Sequence, residues 1–431
     1  PSDSGDEPSD SGDDPSDSGD DPSDSGDDPE FEELVSDAEH DLEPDATPEE
    51  LAEMRAGNVE LGFELLRRAA AGEDINLAVS AVSVRAAFGM VHAMARGATA
   101  TEIADTLGFL SDRDRTHNAL NAHSLALESR NLPETEEEDP VIYSPANRMF
   151  VSPSVAVGPM FLDTLATNYG AGVFLADFAD PEDVRVRINS WVSGRTYELI
   201  PALLPGGSLT DQSKWVLVNA IYLKAPWRTP FEAAYTADAP FTRLDGSTVQ
   251  VPTMHNKAVH GSFRAGDGYQ LVELPLRGGE LAVTIIVPDT GRYLEQEAAL
   301  TTETLDAMLS ETESDIIDLS LPKFTIATGS IALSGTLRNM GMVTPFSPDA
   351  DFSGINDGAS GVPPIGFVLH SVFVAVDEAG VEAAAATAVG DDDSEPSPAF
   401  VLDVDRPFLF LVRDRPTGLV LFTGRVLDPS K

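Results

Sequence analysis

Val374-Ala-Val-Asp-Glu-Ala-Gly-Val-Glu-Ala-Ala-Ala-Ala-Thr-Ala-Val-Gly-Asp-Asp-Asp-Ser-Glu-Pro-Ser-Pro-Ala399 is the stretch that decides how the rest of the chain is interpreted. It begins like a strand, and no helix cap followed by an apolar stripe occurs between Asp377 and Phe400. In an extended conformation its side chains would alternate between two faces. One face would carry Val381, Ala383, Ala385 and Thr387, and the other would carry Glu382, Ala384 and Ala386. The first face is small and uncharged, and we expect Glu382 to remain in water.

The residues from Glu378 to Ala386 resemble the proximal hinge of inhibitory serpins: Glu, any residue, Gly, a small uncharged residue, any residue, then four small residues. The hinge residues would be Glu378, Gly380, Val381, Glu382, Ala383, Ala384, Ala385 and Ala386. Other segments resemble the same family, in family order: 321–324, 341–342, 346–354 and 402–412. The resemblance extends from about residue 58 to 429. It implies an α+β fold with N-terminal helices, large mixed or antiparallel sheets and an exposed reactive loop at about 378–400.

The resemblance also implies a mechanism, in which a serine protease cuts the exposed loop and the freed end inserts as a new central strand of a large sheet. Insertion would drag the protease along with the cut loop and deform its catalytic site, so the acyl bond between protease and inhibitor would remain uncleaved. With Glu378 counted as the first of seventeen residues, as in the family, the seventeenth is Ser394, which places the scissile bond at Ser394–Glu395. Ser394 would suit an elastase-like or subtilisin-like protease. The alternative bond, Asp393–Ser394, would suit an acid-selective protease.

One feature of the loop favours other functions. Asp391 and Asp393 have the same parity as Val381, so full insertion would turn two carboxylates toward the buried face. A substrate-like, non-inhibitory serpin with a carrier or chaperone role is therefore an alternative. A surface adhesion or display module is a second one.

Four polar residues lie in apolar stretches: Ser80, Ser83, Asn219 and His370. Each could simply satisfy nearby backbone groups, since buried polar groups are normally hydrogen-bonded. Their positions also match the family's shutter, a polar cluster beneath the place where the sheet parts. Trp227 matches the family's tryptophan at the breach, where insertion begins, but could equally be ordinary core.

The N-terminus differs in composition from the rest of the chain. Four Pro-Ser-Asp-Ser-Gly-Asp-Asp/Glu repeats fill residues 1–28 with no apolar residue, so we expect a disordered acidic tail over 1–45 and a serpin domain over 46–431. Regular carboxylates could alternatively hold calcium. The tail suits a secreted or extracellular protein and could serve as its tether to a surface, and we expect a monomer.

The whole chain carries 27 basic and 73 acidic residues, a net charge of −46. This charge argues against nucleic acid and heparin as partners. No cysteine is present, which excludes disulfides and thiol nucleophiles. We find no nucleophile elbow, metalloprotease helix or phosphate loop, so no enzyme activity, catalytic residue, cofactor or metal site is predicted.

Helices are expected early and strands late in the chain. The predicted helices are 47 to about 71, 83–95, 101–107, 159–169 and 181–199, and the clearest strands are 76–80, 141–151, 172–178, 214–224 and a final hairpin over 408–426. This order favours α+β over alternating βαβ units.

Overall fold

A computed structural model describes residues 31–70, 72–356, 358, 361–382 and 398–431. Within these residues the helices are α1 (Pro48–Ala69), α2 (Ala81–Met94), α3 (Gly97–Leu107), α4 (Arg113–Glu128), α5 (Pro159–Tyr169), α6 (Pro181–Arg195), α7 (Tyr293–Ala299), α8 (Thr302–Ser310) and α9 (Ser334–Asn339). Short 3₁₀ segments cover Ala233–Tyr235, Thr344–Phe346 and Ser353–Asn356. None of the described helices is long and apolar enough to cross a bilayer.

The main sheet has eight strands among the described residues. They are β1 (Glu33–Leu34), β3 (Ile142–Val151), β4 (Val173–Leu175), β5 (Trp215–Pro226), β11 (Phe324–Ala327), β12 (Ile331–Ala332), β13 (Leu369–Val376) and β14 (Gly380–Val381). Their order is β1-β4-β3-β5-β14-β13-β11, and β12 pairs with β13.

The second sheet has nine strands in the described part of the chain. They are β2 (Leu77–Val79), β6 (Ala237–Thr242), β7 (Thr248–Gly266), β8 (Tyr269–Pro275), β9 (Leu281–Pro288), β10 (Glu313–Pro322), β15 (Phe400–Asp403), β16 (Phe408–Asp414) and β17 (Val420–Val426). Their order is β15-β10-β7-β8-β9-β16-β17-β2, and β6 pairs with β7.

Strand β5 has core on both faces, as its apolar run predicts. Val216, Val218 and Ala220 pack with Ile188 and Trp191 of α6. The alternate residues Ile221, Leu223 and Ala225 pack against the second sheet in a separate apolar cluster. The main sheet therefore has an α6 face and a core face, and a strand added to it would present its side chains alternately to the two.

Helix α1 begins as its sequence predicts. Thr47 accepts a hydrogen bond from the Glu50 N–H, and the Glu50 side chain accepts one from the Thr47 N–H, which completes a capping box. The predicted start of α2 at Ser83 is wrong. Ser80 is the extended N-cap residue, and its hydroxyl accepts from the Ser83 N–H, so the helix begins at Ala81.

Helix α4 was not predicted from the sequence. The reason is that its core face carries many polar residues, so it has no clear apolar stripe. Its buried residues are Thr116, His117, Ala119, Leu120, Asn121, His123 and Leu127.

Helix α6 ends at Arg195, before the predicted Leu199. The chain then turns through Tyr197 and Glu198, which both have positive φ angles. Residues other than glycine rarely adopt this left-handed backbone conformation. It cannot continue a right-handed helix, so α6 ends before it. The turn lies beside the α6 face of the main sheet, where the Tyr197 ring packs against Tyr222 at a tilt, with ring centroids 4.5 Å apart.

Residues 31 to 45, assigned to the tail by the sequence prediction, belong to the folded unit. Glu33 and Leu34 pair with Phe174 and Val173 at the edge of the main sheet. The Phe31 ring packs edge-on against Phe150, with centroids 4.9 Å apart. Burial of aromatic surface and strand pairing thus move the domain boundary toward the N-terminus. The predicted disorder of residues 1–30 lies outside the described residues.

Candidate functional site

Strands β5 and β13 of the main sheet pair directly with each other over part of their length and are separated over the rest. These strands pair directly, in parallel, only at Ser371 with Ala220 and Val372 with Ile221. Toward the end of β5 they separate, and β14 lies between them. Val381 pairs with Ala225 on one side and with Val376 on the other. The predicted loop therefore starts as a two-residue strand already seated in the gap.

A tight turn returns the chain from β13 into the gap. The Asp377 carboxylate accepts hydrogen bonds from the N–H groups of Ala379 and Gly380, and the Asp377 N–H donates to the Gly380 carbonyl. Gly380 is required because its backbone approaches β5 closely. A Cβ atom there would lie 2.5 Å from the Ala225 oxygen and 2.6 Å from the Pro226 Cα.

Val381 occupies the core face of the main sheet, as its pairing with Ala225 implies. Its side chain is 1% exposed and belongs to the apolar cluster between the two sheets. The alternation predicted from the sequence therefore holds at the residues where the structure tests it, with Val381 on one face and Glu382 on the other.

Glu382 departs from the sequence prediction, which placed it in water. It is half-buried, and its carboxyl oxygen Oε2 is buried without a hydrogen-bond partner. Burial raises the pKa of this carboxyl to about 7, although Lys224 and a hydrogen bond with Tyr222 act to lower it. The residue also has a φ of 51°, in the left-handed region that residues other than glycine rarely adopt.

The Glu378 carboxylate is bound by two side chains from distant parts of the chain. Its carboxylate accepts from Lys323 Nζ at 2.6 Å and from the Thr236 hydroxyl at 2.7 Å. Burial opposes its ionisation, but these two donors outweigh burial, so the pKa of Glu378 lies below its usual value. The Glu378 carbonyl also accepts from the Phe231 N–H. The sequence gives no local signal for these partners.

Trp227 lies directly against the same turn. Its indole N–H donates to the Asp377 carbonyl at 2.8 Å, and its backbone N–H donates to the Ala379 carbonyl at 2.8 Å. The side chain is 3% exposed. Trp227 thus connects the end of β5 to the start of the loop through two hydrogen bonds.

The four polar residues predicted to cluster do form one buried network beneath the joined level of the sheet. The Ser80 N–H donates to His370 Nε2 at 3.0 Å, and His370 Nδ1 bonds Asn219 Oδ1 at 2.8 Å. The Asn219 amide nitrogen in turn contacts the Ser83 hydroxyl at 2.5 Å. Since Nε2 of His370 accepts, Nδ1 carries the proton, and burial lowers the pKa of this imidazole to about 4.

Asn147 of β3 is a fifth member that sequence reasoning missed. Its side-chain oxygen accepts from the Asn219 amide at 2.7 Å. An asparagine amid the apolar residues of a predicted strand was the available signal. Asn219 and His370 immediately precede Ala220 and Ser371, the residues at which β5 and β13 pair directly. Separating the two strands there must therefore strain or break the hydrogen bond between Asn219 and His370.

A family model described as "Serpin (serine protease inhibitor)" matches residues 56–429. The chain belongs to the serpin family. The predicted serpin α+β fold is thereby confirmed, and serpins are generally protease inhibitors rather than enzymes.

Known relatives cover most of this serpin. Serpin-Z2A of Triticum aestivum is 33% identical over 371 residues, which are 83% of this chain and 90% of the relative. Antithrombin-III of Mus musculus is 29% identical over 392 residues, 90% of this chain and 84% of the relative. Human thyroxine-binding globulin, solved in complex with thyroxine, matches with a TM-score of 0.77 and 28% identity, covering 88% of this chain and 100% of that structure.

Several predicted site residues of this serpin lie outside the described residues. They are the hinge residues Ala383, Ala384, Ala385 and Ala386, and the scissile-bond residues Asp393, Ser394 and Glu395. The structure brings together the rest: Glu378, Gly380 and Val381 with Trp227 at the gap, and Ser80, Ser83, Asn219 and His370 below it. Their functional roles remain predictions.

Proposed function

We propose that this serpin inhibits a serine protease as a suicide substrate, by cleavage of its loop and insertion of the cut end between β5 and β13. The observation that carries the proposal is the half-parted sheet, in which Val381 is seated between Ala225 and Val376 while the two strands pair directly at Ser371 and Val372. A sheet joined throughout would have no entry point. If a complete strand already filled the gap between β5 and β13, insertion of the loop would gain no further free energy.

Extension of β14 is favourable on simple grounds. Residues 222–224 of β5 and 373–375 of β13 flank the gap, and a lengthening strand would hydrogen-bond to both. Each backbone bond contributes a net ~0.5–1.5 kcal/mol. Uncharged side chains following Val381 on the core face would add burial. Loop insertion therefore releases free energy that the uncut molecule holds in reserve.

The bond cut by the protease is proposed from the loop sequence. Ser394–Glu395 is the preferred position, which suits an elastase-like or subtilisin-like protease. Asp393–Ser394 is the alternative and suits an acid-selective protease. Mass spectrometry of the fragment released by a reacting protease identifies the bond directly.

A denaturing gel tests the proposed function with a panel of serine proteases. We expect a protease–serpin complex that survives SDS, and none when the protease's catalytic serine is first blocked. Cleaved serpin without complex for every protease would contradict inhibition.

A substrate-like carrier is the second candidate. It is favoured by the parity of Asp391 and Asp393, which turns two carboxylates toward the core face on full insertion. The similar structure of thyroxine-binding globulin with thyroxine shows that this fold also carries a small ligand. Cleavage of the loop without complex formation is the result expected for this candidate.

A further inference from the structure

Arg85 of α2 is a buried cation, and no carboxylate of the described residues forms an ion pair with it. Only 2% of the residue is exposed. Its Nη1 and Nη2 donate to the carbonyls of Met54 and Gly108, and its guanidinium lies 5.4 Å from the centre of the Phe109 ring. These acceptors carry no net charge, although the Gly108 carbonyl lies at the negative end of α3. Burial lowers the pKa of Arg85 to about 9, so the group is still charged at neutral pH.

Asn58 of α1 provides an unpaired donor close to this cation. The residue is fully buried, and its Oδ1 accepts from the Val420 N–H at 2.9 Å. A backbone N–H can only donate, so this bond fixes which end of the amide is oxygen. The amide nitrogen Nδ2 then has no hydrogen-bond partner in the described part of the chain, and neither has Arg85 Nε. Met54, whose carbonyl binds Arg85, precedes Asn58 by four positions and therefore lies on the same face of α1.

Both residues line a cavity of about 30 Å³ between α1, α2 and α4. The other polar residues of its lining are His123, Ser124 and Tyr143. About 10–15 Å³ is enough for one water molecule, so the cavity has room for one or two species of that size but not for an organic ligand. Ser124 and Tyr143 also line a larger cleft of about 810 Å³ beside α4 and β3, which gives a small species a route from solvent.

Two carboxylates lie near the cavity, and both are bound elsewhere. Asp414 forms an ion pair with Arg130 at 2.6 Å. Glu128 accepts a hydrogen bond from the Ser124 hydroxyl at 2.9 Å. Burial lowers the pKa of His123 to about 4, so this imidazole is neutral at neutral pH. The cavity therefore presents unpaired donors and one uncompensated positive charge.

We propose that this cavity binds a small monovalent anion of the halide class, which accepts hydrogen bonds from the Asn58 amide and Arg85 Nε and neutralises the buried guanidinium. A water molecule could accept the same hydrogen bonds, but it would leave the charge uncompensated, and burial of an unpaired charge costs far more than burial of a polar group. The bound anion connects α1 to α2 and stabilises the helical side of the molecule. This role is independent of loop cleavage.

Thermal unfolding in chloride and in methanesulfonate tests the site in solution. Methanesulfonate is a monovalent anion too large for the cavity. A constant total salt concentration keeps the screening of the net charge of −46 unchanged. As chloride replaces methanesulfonate, the unfolding temperature of the wild type should rise along a saturating curve, by about 2–4 °C at ten times the dissociation constant.

Two substitutions separate this site from the general effects of the two salts, which all variants share. Asn58→Asp keeps the acceptor for the Val420 N–H and places a carboxylate beside Arg85, so the saturating rise should disappear. Arg85→Gln removes the cation and should abolish the rise as well. Ala52→Asp, on the exposed face of α1, adds the same charge outside the cavity and should retain the wild-type response.

Bromide provides a direct readout of the occupant. Wild-type crystals soaked in sodium bromide should show an anomalous scattering peak in the cavity, within hydrogen-bonding distance of Asn58 Nδ2 and Arg85 Nε. Water in the cavity without a bromide peak would overturn the proposal. So would an equal response to chloride in the wild type, Asn58→Asp and Arg85→Gln. If neither substituted protein folds, the bromide experiment on the wild type decides alone.

Discussion

At the scale of single residues, Val381 determines whether the loop can enter the sheet. Its side chain fills a site on the core face between Ala225 and Val376. A carboxylate at this position would be buried without a partner, at a cost of several kcal/mol. The Val381→Glu variant should therefore keep its loop outside the gap.

We expect Val381→Glu to be cleaved at the same bond as the wild type but to form little or no SDS-stable complex. The measurement is the ratio of complex to cleaved serpin on a denaturing gel. Val381→Thr, which keeps the branched shape without a charge, is the matched control and should retain inhibition. An unchanged ratio in Val381→Glu would show that this site is not entered during inhibition.

Prediction from sequence succeeds for Val381 and fails for Glu382, and the reason is physical. The alternation of faces depends only on the period of a strand, which the sequence displays. The burial of Glu382 depends on Tyr222 and Lys224, far away in the chain. The same holds for Glu378, whose donors Lys323 and Thr236 are separated from it by 55 and 142 positions.

At the scale of elements, the buried network links α2, β3, β5 and β13 at the level where the sheet is joined. Loss of the His370 imidazole would leave the Ser80 N–H and the Asn219 side-chain oxygen unpaired. Each unpaired buried group costs about 1–3 kcal/mol. The stabilisation lost would be that of the contact between β5 and β13, the two strands that must separate during insertion.

His370→Ala should therefore lower the unfolding temperature and change the ratio of inhibition to cleavage together. His123→Ala is the control, because His123 is also buried but lies on α4, outside the network. It should lower the unfolding temperature and leave the ratio unchanged. If His370→Ala alters neither quantity, the network does not control the sheet.

The sequence predicted elements best where their signals are local. Helix α5 begins at Pro159 and ends at Tyr169 as expected, since a proline starts it and Gly170 adopts a left-handed conformation at its end. Helix α4 was missed because its buried face includes histidine and asparagine. Strand β1 was missed because two residues carry no periodic pattern; pairing with β4 and packing of Phe31 against Phe150 and Phe174 order this segment.

At the scale of the whole molecule, buried histidines make the fold sensitive to acid. Burial is the first cause that lowers the pKa of His92 to about 4, His117 to about 3, His123 to about 4 and His370 to about 4. Unfolding returns each to its ordinary value near 6.5. Their contribution to stability is thus complete above pH 6.5 and declines as the pH falls toward 4.

We expect the unfolding temperature to fall steadily from pH 6.5 to 4.5. Calorimetry across this range is the measurement. Replacing His123 alone removes one titrating imidazole. It should therefore reduce the slope of the free energy of unfolding against pH by up to ~1.4 kcal/mol per pH unit, the value for one proton. A flat profile would contradict the burial of neutral histidines.

The four acidic repeats over residues 1–28 contribute 12 of the 73 acidic residues and no basic residue. We propose that the serpin works outside the cell as a monomer, with residues 1–30 as a spacer or a tether to a surface. The pairing of β1 with β4 fixes the point where this spacer would join the domain.

The central claim is that the main sheet lacks a strand which the loop supplies after cleavage. Thermal unfolding before and after cutting the loop tests it most directly. A new central strand should raise the unfolding temperature by roughly 10 °C or more, since it adds several backbone hydrogen bonds and buried side chains. Identical unfolding temperatures for intact and cleaved protein would contradict the claim.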